Sequence, residues 1–153
     1  MTSIVSSIVR SIVSGITGSS GGAVELPPEV AQFIINGPFA ADTDWGKGMG
    51  WTIAAGVATC APEGAGTLSQ TMEDGLRIGN SYDFSIDIVA NPSGGVVRIV
   101  VGAQTIYSLA TDPGTLSFTF ISTTTSDAFG IRLPNGDEEL GMVIDNVSLV
   151  PTP

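Results

Sequence analysis

The sequence predicts an all-β fold: a sandwich of about eight to ten antiparallel strands, preceded by a short N-terminal helical anchor. Three observations carry this. Twenty Gly and nine Pro punctuate a chain of 153 residues, with 42% hydrophobic and only 13% charged residues, the composition of a turn-rich β protein. Several stretches alternate apolar and polar residues at period two, as half-buried strands do. The length suits one domain with a real core and not two. Residues 1–22 read as anchor and linker, and residues 23–153 as the β domain.

Residues 3–14 repeat a tetrapeptide: Ser3-Ile4-Val5-Ser6, Ser7-Ile8-Val9-Arg10, Ser11-Ile12-Val13-Ser14. On a helix, Ile4, Val5, Ile8, Val9, Ile12, Val13 and Ile16 form one slowly drifting stripe. On a strand the same residues would leave no clean polar side. The β-branched content opposes an isolated helix, and a helix this short is marginal alone in water. Burying those side chains would contribute on the order of 10 kcal/mol before entropy. The stripe therefore wants a partner: copies of itself, a groove in another protein, or its own domain. A membrane surface fits poorly, because Arg10 is the only cation in the stretch. Residues 15–22, Gly-Ile-Thr-Gly-Ser-Ser-Gly-Gly, form a flexible tether that favours an anchoring role.

Glu25-Leu26-Pro27-Pro28-Glu29 is an extended entry. An apolar strand is expected over Phe33-Ile34-Ile35, followed by Asn36-Gly37-Pro38-Phe39 and an acidic loop with Asp42, Asp44 and Trp45. Gly50-Trp51-Thr52-Ile53 opens the next strand, and Val57–Cys60 reads as another. Thr67–Met72 places Leu68, Gln70 and Met72 on one face. Residues 79–89 alternate strictly, with Tyr82, Phe84, Ile86 and Ile88 inward and Asp83, Ser85 and Asp87 outward. Residues 96–102 and 105–109 form a hairpin about Gly102-Ala103-Gln104. Leu116, Phe118 and Phe120 alternate with Ser117 and Thr119, and Phe129–Leu133 is a further strand. Asn135-Gly136 signals a hairpin leading into the closing strand, residues 141–150. There Val143, Asp145, Val147 and Leu149 share a face at period two. A carboxylate on an apolar face costs several kcal/mol unless satisfied. Asp145 is thus a hydrogen-bonded structural residue or a metal ligand.

Net charge is −10, with five basic residues and no His. Arg10, Lys47, Arg77, Arg98 and Arg132 are scattered, which argues against nucleic-acid backbone binding. One Cys, Cys60, permits no intrachain disulfide and reads as a small buried residue. Without His, a Cys–His pair, a Ser–His–Asp triad and the usual zinc sites are excluded. Asp42/Asp44, Glu73/Asp74 and Asp137/Glu138/Glu139 are carboxylate clusters beside turns, the ordinary setting of solvated charge. They lack the context of a glycosidase pair. No run reaches the ~18 apolar residues of a membrane span. No export signal follows Met1, so the chain is expected to act as it is made.

The closing Ile144-Asp145-Asn146-Val147-Ser148-Leu149 resembles the last strand of galactose-binding-like jelly rolls, the β-sandwich of many carbohydrate-binding modules. Asn36-Gly37-Pro38-Phe39, the acidic loop and Gly50-Trp51 resemble the opening of that family. Gly79-Asn80-Ser81-Tyr82-Asp83-Phe84-Ser85 resembles one of its middle strands. The resemblance implies a core role for Trp51, a hydrogen-bonded Gln70, and a structural calcium at Asp145 as one reading. Trp45, in a polar loop, and Tyr107 are then the candidate exposed aromatics for a glycan. The Ser-Ile-Val-x N-terminus resembles those of small bacteriophage virion proteins. Together these lead to a non-enzymatic virion subunit as the expected function: a head fibre, decoration or tail component docked on other virion proteins through residues 1–22. A homo-oligomer, guessed as a trimer, with host-glycan contact would suit it, and its place would be the virion. The alternative is a stand-alone carbohydrate-binding module. No cofactor beyond calcium is expected.

Overall fold

The computed structural model describes residues 32–61, 66–92, 94–110, 112–133 and 141–153. The helical anchor and linker expected over 1–22, and the Asn135-Gly136 turn, lie outside the described residues. Ten strands follow in order: β1 (Gly46–Lys47), β2 (Trp51–Ala54), β3 (Val57–Cys60), β4 (Thr67–Thr71), β5 (Ser81–Ala90), β6 (Val96–Val101), β7 (Gln104–Ala110), β8 (Gly114–Ile121), β9 (Ala128–Arg132) and β10 (Met142–Pro151). They make two five-stranded sheets, β1-β4-β9-β6-β7 and β2-β3-β10-β5-β8. Every pairing is antiparallel.

The period-two pattern does what it demands. In β5, Tyr82, Phe84, Ile86 and Ile88 are buried and the intervening Asp83, Ser85 and Asp87 face outward. In β6, Val97, Ile99 and Val101 are fully buried between half-buried neighbours. The β5 row meets the β6 row, with Leu68, Phe129 and Ile131 of the same sheet as β6, in one core, the face-to-face packing of a sandwich. Trp51 and Cys60 are buried in it as expected. The β6–β7 hairpin turns at Gly102, where φ is +55°, a backbone conformation glycine adopts without a Cβ clash.

Two expectations need correction. Phe33–Ile35 is not a strand; residues 34–38 are a bend and turn. The segment nevertheless satisfies an exposed edge. Beyond Ile144, β10 has no neighbour on the β3 side. There Phe33 N–H donates to the Leu149 carbonyl at 3.0 Å, and Val147 N–H donates to the Gly37 carbonyl at 3.1 Å. The ladder demand is met without regular strand geometry.

The second correction is in β10. Asp145 does not share a face with Val147 and Leu149. Asp145 lies opposite Asp87 and Ser148 opposite Ser85, so β10 spends three steps where β5 spends two. That is a β-bulge. Asn146 carries it with φ of +49°, and Asp145 Oδ1 accepts the Asn146 N–H at 2.7 Å. The extra residue shifts the period. Met142, Ile144, Val147 and Leu149 are buried, while Asp145 turns to the outer side.

Candidate functional site

The site grows from a buried glutamine. Gln70 sits on the inward side of β4 between Leu68 and Met72. Its Oε1 accepts the Ile35 N–H at 2.8 Å, and its Nε2 donates to the carbonyls of Ile35 at 2.8 Å and Asp44 at 3.1 Å. One side chain thus pins both ends of the loop 35–44 to the sheet. Asn36 closes the loop internally, donating to the carbonyls of Ala41 and Thr43.

The clamp delivers Asp44 and Trp45 to the start of β1. Trp45 is not the exposed aromatic expected from its polar surroundings; it is 7% exposed. Its indole N–H donates to the Asn36 carbonyl at 3.1 Å. Its ring lies 5.3 Å from Phe39 and 6.2 Å, edge-on, from Phe129. Gly- and Ala-rich loops give no period to read, so this burial is set by the tertiary partners alone.

Beside this segment lies an open cleft of about 520 Å³, lined by Asp44, Trp45, Gly46, Ser69, Gln70, Thr71, Ala128 and Phe129. That size falls among ordinary ligand pockets, roughly 300–1,000 Å³. Trp45 and Phe129 line it but are buried, and the Phe129 ring packs inward against Phe84 at 6.0 Å. Asp44, Ser69 and Thr71 supply carboxylate and hydroxyl groups at its wall. Ser69 Oγ donates to the Gly46 carbonyl at 3.3 Å, and Asp44 Oδ2 accepts from Thr43 at 2.7 Å. Both groups keep acceptor capacity. The arrangement suits a ligand rich in hydroxyls.

The other residues singled out from sequence do not converge on this cleft. Tyr107 is half-buried on β7, its ring stacked on Phe118 of the other sheet at 5.3 Å and 17°. β1 and β7 are the opposite edges of one sheet, so Tyr107 and Trp45 stand about four strand spacings, roughly 19 Å, apart. They cannot form one aromatic platform. Asp42 is ion-paired with Lys47. Glu73 and Asp74 are exposed. Residues 137–139 and the stripe Ile4 to Ile16 lie outside the described residues. Among the described residues, no group of three or more Asp, Glu, Cys or His gathers around Asp145 or elsewhere.

Asp145, Asp87 and Asp83 all lie on the outer side of the β2-β3-β10-β5-β8 sheet. Asp87 accepts from Thr115 at 2.5 Å and from Asn146 Nδ2 at 2.8 Å. These hydrogen bonds, Thr115 first, hold its carboxyl below the usual aspartate range. Asp83 accepts from Thr119 at 2.5 Å and Thr152 at 3.2 Å. The aspartates here brace one strand to the next. Burial pushes the Cys60 thiol up, as befits an inert core residue.

Sequence reasoning placed Gln70 in the sandwich but missed Ser69 and Thr71. Their signal was present: they are the outward members of the β4 alternation, with Leu68, Gln70 and Met72 inward.

No family model and no curated protein matches the chain. Solved structures do. A family 29 carbohydrate-binding module superposes with a TM-score of 0.53 at 13% identity, covering 80% of this chain and 84% of that one. A CBM4 structure gives 0.51 at 18% identity, covering 78% and 99%. A family 29 module complexed with mannohexaose gives 0.50 at 14% identity, covering 71% and 82%. The chain therefore shares the β-sandwich fold of carbohydrate-binding modules.

Proposed function

We propose that the domain is a non-catalytic carbohydrate-binding module that holds a glycan in the cleft between the Asp44–Gly46 segment and β4–β9. The observation that carries this is the cleft itself: the Asp44 carboxylate and the Ser69 and Thr71 hydroxyls converge on it, beside a loop that Gln70 ties to the sheet. Hydroxyl-bearing ligands are read by such convergent polar groups. The fold supports the reading, since its solved relatives include a module bound to mannohexaose.

The reading of a virion subunit draws its attachment from residues 1–22, and nothing among the described residues favours it over the module. Deleting residues 1–22 separates the two. A binding module keeps its glycan affinity, whereas a docking subunit loses its attachment.

The direct test is titration calorimetry with mannohexaose and a panel of neutral and acidic polysaccharides. The Asp44→Ala/Thr71→Ala double variant should bind at least about tenfold more weakly, the loss expected for two hydrogen bonds of which one is to a charge. A wild type that binds nothing in the panel, or a double variant that binds equally well, refutes the site.

A further inference from the structure

We propose that the glycan is anionic, and that Arg98 and Arg132 recognise its carboxylate or sulfate groups. This rests on the module reading above and extends it along the same sheet face.

Arg98 on β6 and Arg132 on β9 are direct cross-strand partners. Both point outward, since Val97, Ile99, Ile131 and Leu133 beside them are buried. Opposed residues of neighbouring strands hold their Cβ atoms about 4.5–5.5 Å apart, and like charges so placed destabilise a sheet. Nothing described here relieves the repulsion. Among the described residues the one ion pair is Lys47–Asp42. Arg98 Nε reaches only Ser108 Oγ, at 3.5 Å. Two guanidinium forks side by side match the planar acceptors of a carboxylate or a sulfate ester.

The placement of charge over the whole sandwich points the same way. The chain carries net charge −10 and five basic residues, yet two of the five stand adjacent on one face. The strand-borne aspartates, Asp83, Asp87 and Asp145, are all on the opposite sheet. Those of β5 are engaged by Thr115, Thr119, Asn146 and Thr152. One outer face is acidic and internally satisfied; on the other, neither guanidinium is ion-paired among the described residues.

That second face is the face of the cleft. Thr67 lies opposite Arg132, and Ser108 lies opposite Arg98. Thr67–Arg132–Arg98–Ser108 is thus one row across β4, β9, β6 and β7, about 14 Å long at strand spacing. Thr67, Ser69 and Thr71 are successive outward residues of β4, and the last two line the cleft. A chain molecule seated at Thr71 and Ser69 would meet the arginines within two residues' rise along β4.

The test compares polygalacturonate, heparin and neutral galactan against the full chain and the Arg98→Gln/Arg132→Gln variant, with circular dichroism to establish folding. The wild type should bind polygalacturonate or heparin, more weakly as salt rises. The first acceptor implies carboxylate recognition and the second sulfate. The variant should lose about tenfold or more in affinity for the anionic polymer, and more than it loses for galactan. Binding of galactan alone overturns this inference and leaves the module reading intact. Equal affinities of wild type and variant for the acidic polymer also overturn it. Binding of none of these three polymers overturns this inference, and the module reading falls with it only if mannohexaose and the wider panel also fail to bind. Should the double variant fail to fold, Arg132→Lys serves: it keeps the charge, loses the fork, and should still weaken binding.

Discussion

Replacing Gln70 by Leu removes the clamp while keeping most of its volume. Three hydrogen bonds disappear: one accepted from Ile35, one donated to Ile35 and one donated to Asp44. Each contributes about 1 kcal/mol net, and more where the abandoned partner cannot reach water. Ile35 is 48% exposed, so its backbone regains some solvent and its share stays near the lower figure. Asp44 is exposed too, so its carbonyl also regains solvent. The sum is about 3 kcal/mol, a drop of roughly 10 °C in Tm for a domain of this size. Urea unfolding should show the midpoint fall with little change in slope. The same variant should weaken glycan binding, because Asp44 and Trp45 lose the group that positions them. A Gln70→Leu protein within about 0.5 kcal/mol of wild type, beyond extrapolation error, would refute the clamp. So would unaltered glycan affinity in a destabilised variant, for the link between clamp and cleft.

Other expected outcomes follow from single contacts. A Cβ on Gly37 would stand 1.9 Å from the Val147 carbonyl oxygen, so Gly37→Ala should cost about 2 kcal/mol or more; a denaturant midpoint equal to wild type would contradict that approach. Asp87 has a lowered pKa, so its stabilisation is present above the unfolded value of about 3.9 and is lost as pH falls through the folded one. Asp87→Asn should therefore flatten the decline in stability between about pH 4 and lower values, and parallel curves for the two proteins would count against it. We propose Asp145 as a ligand of structural calcium, which predicts that chelator lowers the Tm of the wild type and not of Asp145→Asn. A wild type indifferent to chelator leaves Asp145 with its bulge hydrogen bond alone.

Much of the fold was legible because strands write their faces at period two. The β5 alternation, the β6–β7 hairpin and the Leu116, Phe118, Phe120 row could each be read without knowing a partner. Reading failed where the period was interrupted. A bulge is one extra residue, and Asp145-Asn146 gives no local warning of it beyond Asn's tolerance of positive φ. One inserted residue moved Asp145 from an apparent core position to the outer face. The Phe33–Ile35 run failed for a different reason. It is apolar enough for a strand, but Ile34 faces the core while Asn36, with φ of +52°, breaks extension at once. Trp45 was misjudged because its neighbours in sequence are not its neighbours in space.

The site was less legible than the fold, and necessarily so. Arg98 and Arg132 look scattered along the chain; only the order β4-β9-β6-β7 makes them adjacent. Strand order in a sandwich depends on which strands meet across long connections, and no local pattern encodes it. What sequence does encode is the side each residue takes. Arg98 stands between Val97 and Ile99, Arg132 between Ile131 and Leu133, and Ser69 between Leu68 and Gln70, so all three are committed to solvent before any pairing forms. The topology then gathers those committed positions on one face and leaves Asp83 and Asp87 on the other. A sheet whose exposed face holds hydroxyls beside two opposed cations carries a like-charge repulsion that solvent screens only in part. An anion laid across the row removes it. The electrostatic cost in the free domain and the selectivity of the bound one have the same origin, and relief of that cost is what would separate an acidic glycan from a neutral one.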